Sequence, residues 1–161
     1  MKRFKTLVSA AALFAMLGAA STADALTFAD YIQALSNRAR VEQSGRANGA
    51  AVAQNGAANS GAVSQNGVGQ TGIIRQNGVA NTGDISQSGN GNTAQLAQDG
   101  NANRGCIYQS GNGLNAAINQ NGDGASYGVV QTMFGSHVVS VGMCRLYNQR
   151  HGDIAGNFRG R

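Results

Sequence analysis

Gln87-Ser88-Gly89-Asn90-Gly91-Asn92-Thr93-Ala94-Gln95-Leu96-Ala97-Gln98 runs from one mark of a ruler to the next. Glutamine recurs every eleven residues at Gln43, Gln54, Gln65, Gln76, Gln87, Gln98, Gln109, Gln120 and Gln131, without a slip. Glycine stands two residues after each of these from Gly45 to Gly122, and Met133 alone breaks that series. A strict short period denotes a repeat array, not a mixed globular core.

An aliphatic residue sits two positions before each later glutamine, at Val52, Val63, Ile74, Ile85, Leu96, Ile107, Ile118 and Val129. Side chains alternate faces along a strand, so Gly105, Ile107 and Gln109 share one face while Cys106 and Tyr108 take the other. Ser110-Gly111-Asn112-Gly113 then reads as a turn, since glycine and asparagine tolerate positive φ. One unit is one strand and one turn. Two units make a rung of 22 residues, and stacked rungs make an all-β solenoid of strand-turn-strand rungs with two facing parallel sheets, amyloid-like in its pairing. Strands 22 residues apart lie in register, which stacks their glutamines at about 4.8 Å as an amide ladder. The chain has no proline, so no ladder donor is missing.

Ordering eleven backbone residues costs roughly 11 to 22 kcal/mol, whereas burying one Ile, Val or Leu contributes about 1.5 to 3 kcal/mol. A lone repeat therefore cannot fold, and stability accumulates only through stacking. The repeats hold no lysine or proline to blunt their edges, and their charges are sparse. Bare edges of this kind suit another copy of the chain.

The quoted stretch resembles the curlin repeat, Gln-X-Gly-X-Gly-Asn-X-Ala-X3-Gln, letter for letter. Looser forms run from 43 to about 130. The family's serine, six residues before a glutamine, is usually asparagine here, at Asn48, Asn59, Asn81, Asn92 and Asn103. The resemblance implies a secreted subunit of curli, the functional amyloid fibres of the extracellular matrix of Gram-negative biofilms, located at the cell surface. The partners it implies are other copies of the chain, a second curlin-type subunit, and an outer-membrane export pore with its accessory factors. The glutamines, aliphatics and asparagines named above are the expected ladder of the fibre core.

Met1-Lys2-Arg3-Phe4-Lys5, the apolar run from Leu7 to Ala20 and Ala23-Asp24-Ala25 read as a signal peptide over 1–25. Cleavage before Leu26 leaves nine arginines against six acidic residues. That mild surplus is no nucleic-acid signature. In residues 26–42, Phe28, Ile32, Leu35 and Ala39 at helical spacing and Thr27 with Asp30 as a capping box predict a short helix, which the resemblance implies is an export segment and which otherwise caps the first rung. Residues 43–141 are the array. Residues 142–161 are an irregular basic tail that resembles the terminal repeat of a nucleator subunit or is a solvated terminus. Major and nucleator roles both stay open.

Cys106 and Cys144 form an even pair in an exported chain, so a disulfide is permitted, while an intermolecular bridge and free thiols remain open. Gly67-Val68-Gly69-Gln70-Thr71-Gly72 matches GxGxxG, but it falls out of the repeat and lacks a following helix. His137 and His151 lack a second ligand pair, with Cys144 a loose third. No acid, base or nucleophile constellation is patterned, so neither an enzyme nor a cofactor is expected. The rival reading is a capped, soluble β-solenoid that binds a surface as an adhesin. That reading needs a uniform outward row, which the chain lacks: the outward pairs run from Ala51 and Ala53 to Ile73 and Arg75 to Cys106 and Tyr108.

Overall fold

The computed structural model describes residues 4–10 and 36–152. Strand β1 (Phe4–Ala10) precedes nine strands that follow the ruler, the first of them β2 (Asn37–Arg46). Then come β3 (Gly49–Ala57), β4 (Ser60–Val68), β5 (Thr71–Val79), β6 (Thr82–Asn90), β7 (Thr93–Asp99), β8 (Arg104–Asn112), β9 (Asn115–Asn121) and β10 (Ser126–Thr132). The chain closes with β11 (Gly135–Val139) and helix α1 (Val141–Gly152). The even-numbered strands, flanked by β1 and β11, form one sheet in the order β1-β2-β4-β6-β8-β10-β11, and β3-β5-β7-β9 form the other. From β2 to β10 all pairing is parallel and 22 residues out of step, so Val63, Ile85, Ile107 and Val129 stand in one column. The fold is the β-solenoid with 22-residue rungs and two parallel sheets expected from the repeat.

Alternation sets what is inside. In β5, Gly72, Ile74 and Gln76 are buried, while Ile73, Arg75 and Asn77 are not. Val63, Ile74, Ile85, Leu96, Ile107 and Ile118 make the core, none more than 3% exposed. That core is thin. A Cβ added at Gly83 would lie 2.7 Å from Leu96 Cδ2, and one at Gly105 2.5 Å from Leu96 Cδ1. The small position thus sets the distance between the sheets.

The residue four after each glutamine takes a left-handed conformation. Gly69, Gly91, Gly113 and Gly124 fill it at φ between 63° and 72°, and Ala47, Ala58, Ala80 and Ala102 at φ between 55° and 60°. A Cβ there costs about 1–2 kcal/mol, partly offset by the unfolded-state freedom of glycine. Ala80→Gly is therefore expected to stabilise the solenoid by about 0.5–1 kcal/mol, read as a higher urea midpoint.

The structure corrects four expectations. Ser110, Gly111 and Asn112 are still paired with Ser88, Gly89 and Asn90, so the corner begins only at Gly113. Stacked rungs keep the glycines two after glutamine in the ladder instead of releasing them to a loop. The solenoid strands run from Asn37 to Thr132, and so start before 43 and stop before 141. Ala39, expected on a helix, pairs with Gly61 in β2, where ladder bonds to β4 outweigh a local helical pattern. Phe28, Ile32, Leu35 and the Thr27–Asp30 box lie outside the described residues. Lastly, the start of the tail expected to be irregular is α1. Ser140 caps it: its Oγ accepts from the Met143 N–H at 3.2 Å, and its carbonyl accepts from Cys144 N at 3.0 Å. Within the leader read from the sequence, β1 pairs antiparallel with β2, Phe4 opposite Gln43.

Candidate assembly core and end faces

Each core glutamine is held by two neighbours and one carbonyl. In the larger sheet Gln43 Nε2 donates to Gln65 Oε1 at 2.7 Å, and the chain of bonds continues through Gln87 and Gln109 to Gln131 at 2.8 Å per step. In the smaller sheet Gln54, Gln76, Gln98 and Gln120 are linked in the same way at 2.7–2.8 Å. The second amide hydrogen crosses the core. Gln65 Nε2 donates to Gly49 O, Gln87 to Thr71 O and Gln98 to Thr82 O, each at 3.0 Å, and these acceptors lie on the opposite sheet. Glutamine is thus both ladder and cross-stitch, and that second role carried no signal in the one-dimensional pattern. Both hydrogens and the oxygen are used, as burial of an amide requires.

All donors point toward the C-terminus, so the ladders are polar. Among the described residues, Gln43 and Gln54 have no glutamine before them that donates to their oxygens. Gln120 has none after it, and its Nε2 turns to Arg104 O at 2.8 Å and Ala125 O at 3.2 Å.

The asparagines do not stack amide on amide. Asn59 Nδ2 donates to Asn55 O and Gly78 O at 3.1 and 2.9 Å, and its Oδ1 accepts from the Asn81 backbone N–H at 3.0 Å. Asn81 and Asn103 repeat this bracket one rung on, and Asn48 and Asn92 repeat it at the opposite corner. Asn37 starts the series, donating to Gly56 O and accepting from Asn59 N. It was not among the residues singled out from the sequence, although it lies 22 before Asn59. Leu114 and Ala125 occupy the next corner positions; their backbone N–H groups are accepted by Asn92 and Asn103, but they bring no amide to continue the series.

Gln70 is the outlier. Its Nε2 makes the two corner bonds, to Asn66 O and Gly89 O, but the longer side chain leaves Oε1 fully buried without a partner. An unsatisfied buried acceptor costs about 1–3 kcal/mol. Gln70→Asn restores the corner residue of the other rungs and is expected to raise stability by about 1 kcal/mol, checked by thermal unfolding. A lower melting temperature would refute the corner geometry.

The C-terminal rung is built differently from the others. Cys106 and Tyr108, outward on β8, are buried with Val130, Val141 and Cys144 in a second apolar cluster under α1. Cys106 and Cys144 are joined by a disulfide with a Cα–Cα distance of 6.1 Å. Arg145 pairs with Asp84 at 2.7 Å, Ser86 Oγ donates to Asn148 Oδ1 at 2.9 Å, and the Tyr108 and Tyr147 rings lie 5.9 Å apart. Burial pushes the Tyr108 phenol above its ordinary pKa, against a hydrogen bond with Ser110 that lowers it, so the ring is neutral at physiological pH. Cys144, weighed from the sequence as a loose metal ligand beside His137 and His151, is in the disulfide. The end expected to be a bare edge is covered here, because β11 pairs antiparallel along β10.

Hydrogen-bonded ladders that repeat on the inside, under an outer face that varies from rung to rung, define a β-solenoid specialised for stacking. The family model for the curlin associated repeat matches residues 70–100 and 100–132, so these two adjacent repeats are of the curlin type. No curated protein and no solved structure matches the chain.

Proposed function

We propose that the chain is a secreted, non-catalytic structural subunit that assembles into extracellular curli-type amyloid fibres of a Gram-negative biofilm matrix. The observation that carries this reading is the polarity of the buried glutamine ladders. They run from Gln43 and Gln54, whose oxygens lead each ladder, to Gln120, whose amide turns to Ala125 O where a next glutamine would stand, so that one copy extends another by exchanging that bond for the one used inside the chain. Edge pairing and amide ladders of this kind are the stabilising elements of cross-β fibres. Export through an outer-membrane pore and co-assembly with a second curlin-type subunit belong to the same proposal, drawn from the family.

The test is to dilute the unfolded, reduced chain from denaturant and follow thioflavin fluorescence with and without preformed seeds. A lag that seeds abolish supports the reading. The covered C-terminal end favours a second reading, a soluble solenoid that adheres to a surface as a monomer. A monodisperse β-rich species that never fibrillates in that assay would select it.

A further inference from the structure

The end of the solenoid carries three features that the interior rungs lack. Tyr127 occupies the small-residue position held by Gly61, Gly83 and Gly105 one to three rungs earlier in the same sheet. At Gly105 even a Cβ would meet Leu96 at 2.5 Å. A tyrosine fits at 127 because, among the described residues, no strand follows β9 in the smaller sheet. Its ring packs on the end of the core, and its hydroxyl donates to the Asn119 carbonyl of β9 at 2.9 Å. β11 takes the edge of β10 in antiparallel sense and places Ser136 opposite Gln131, where the glutamine ladder would continue. Helix α1 then lies so close to β10 that a Cβ at Gly128 would meet Cys144 Cβ at 2.8 Å, and the disulfide ties it to β8. β11 lies in the chain between β10 and a helix bonded to β8, so the disulfide tethers both of its ends and restrains its displacement.

In the smaller sheet β3 and β9 each pair on one side only among the described residues, but Tyr127 packs on the end of the core beyond β9, whereas Val52 on β3 is half-buried. Continuing the 22-residue register across two molecules sets Ile118 of one copy against Val52 of the next, and the Gln120 amide, once it leaves Ala125 O, against the Gln54 oxygen.

We infer that the C-terminal face is closed by a disulfide-held cap. The oxidised chain then accepts another solenoid rung only on its N-terminal face, and the occupant is the C-terminal rung of a second copy whose cap is open. This rests on the proposed fibre function and deepens it: the oxidised chain ends a stack, and the open chain extends one. Opening needs an external dithiol, which supplies two electrons and two protons. Cys106 and Cys144 become thiols and the dithiol becomes a disulfide. Asp84–Arg145, Ser86–Asn148 and the apolar packing of Tyr108, Val130 and Val141 are then the remaining ties on α1, and the part-exposed ion pair among them is weak.

The test uses the chain recovered after leader removal, in oxidised form, in reduced form, and as the Cys106→Ser/Cys144→Ser and Tyr127→Gly variants. Elongation of preformed seeds is expected to be slower for the oxidised chain than for the reduced chain or the double serine variant by about tenfold or more, the scale of a disulfide restraint. Tyr127→Gly, which installs the small residue of the repeat and leaves the disulfide intact, is expected to recover part of that rate. A small fraction of oxidised chain added to growing double-serine fibres is expected to shorten them, and reductant to restore their length. A disulfide that merely stabilised an inert monomer would leave fibre length unchanged. Equal elongation of oxidised and reduced chains, or unaltered fibre lengths, would overturn the cap while leaving the fibre function standing. Absence of fibres in every form would overturn the fibre function and the cap with it.

Discussion

Gly78→Ala is expected to disrupt the stacking of the central rungs, whereas Gly69→Ala, nine residues away, is expected to be nearly harmless. A Cβ at Gly78 would stand 2.0 Å from the Gly100 carbonyl oxygen and 2.8 Å from its carbon, with φ at +117°. Neither atom is a movable side-chain end, so the two rungs must part locally and lose ladder bonds, and the backbone is strained as well. Together these amount to about 3 kcal/mol or more. At Gly69 a Cβ would meet nothing within 4 Å, and φ is +67°, the conformation that alanine already adopts at 58 and 80. Its cost is limited to about 1 kcal/mol of left-handed strain. The urea midpoint of the folded chain, followed by far-ultraviolet circular dichroism, separates the two; equal losses would mean that the glycines two after glutamine do not set rung contact.

Gln109→Ala against Asn119→Ala is the second large contrast. Gln109 is wholly buried. It donates to Gln131 Oε1 and Thr93 O at 2.8 and 2.9 Å and accepts from Gln87 Nε2 at 2.8 Å. Alanine removes three bonds at about 1 kcal/mol each, leaves their partners buried and opens a cavity, for a loss of about 3–5 kcal/mol. Asn119 faces solvent on β9, and its interactions are those of its backbone, with Ala97 in the ladder and with the Tyr127 hydroxyl. Its substitution is expected to stay within about 0.5 kcal/mol. On the fibre reading the lag time follows the same order, Gln109→Ala long and Asn119→Ala unchanged. Equal lags would undo the assignment of inside and outside.

The solenoid was legible because two periods agree in the chain. Period 2 puts Ile107 and Gln109 on one face and Cys106 and Tyr108 on the other, and the eleven-residue ruler sets the register that joins Gln87 to Gln109. What escaped was geometry between sheets and at ends. The crossing bond from Gln87 to Thr71 O depends on how closely the sheets approach, which the glycines at the small position set in three dimensions. Asn37 escaped because the helical spacing from Phe28 to Ala39 competed with the corner period. The cap escaped because its contacts are long-range: Cys106 with Cys144, Asp84 with Arg145, Ser86 with Asn148. Even so, Tyr127 carried a readable signal, as a large residue in a column that is otherwise glycine or alanine.

The central claim is that the chain stacks rung on rung into a fibre. X-ray diffraction from aligned product of the reduced chain tests it most directly. The account predicts a meridional reflection near about 4.8 Å and an equatorial one near about 10 Å, the spacings of paired strands and facing sheets. Material that gives neither reflection, or remains a soluble β-rich monomer, would contradict it.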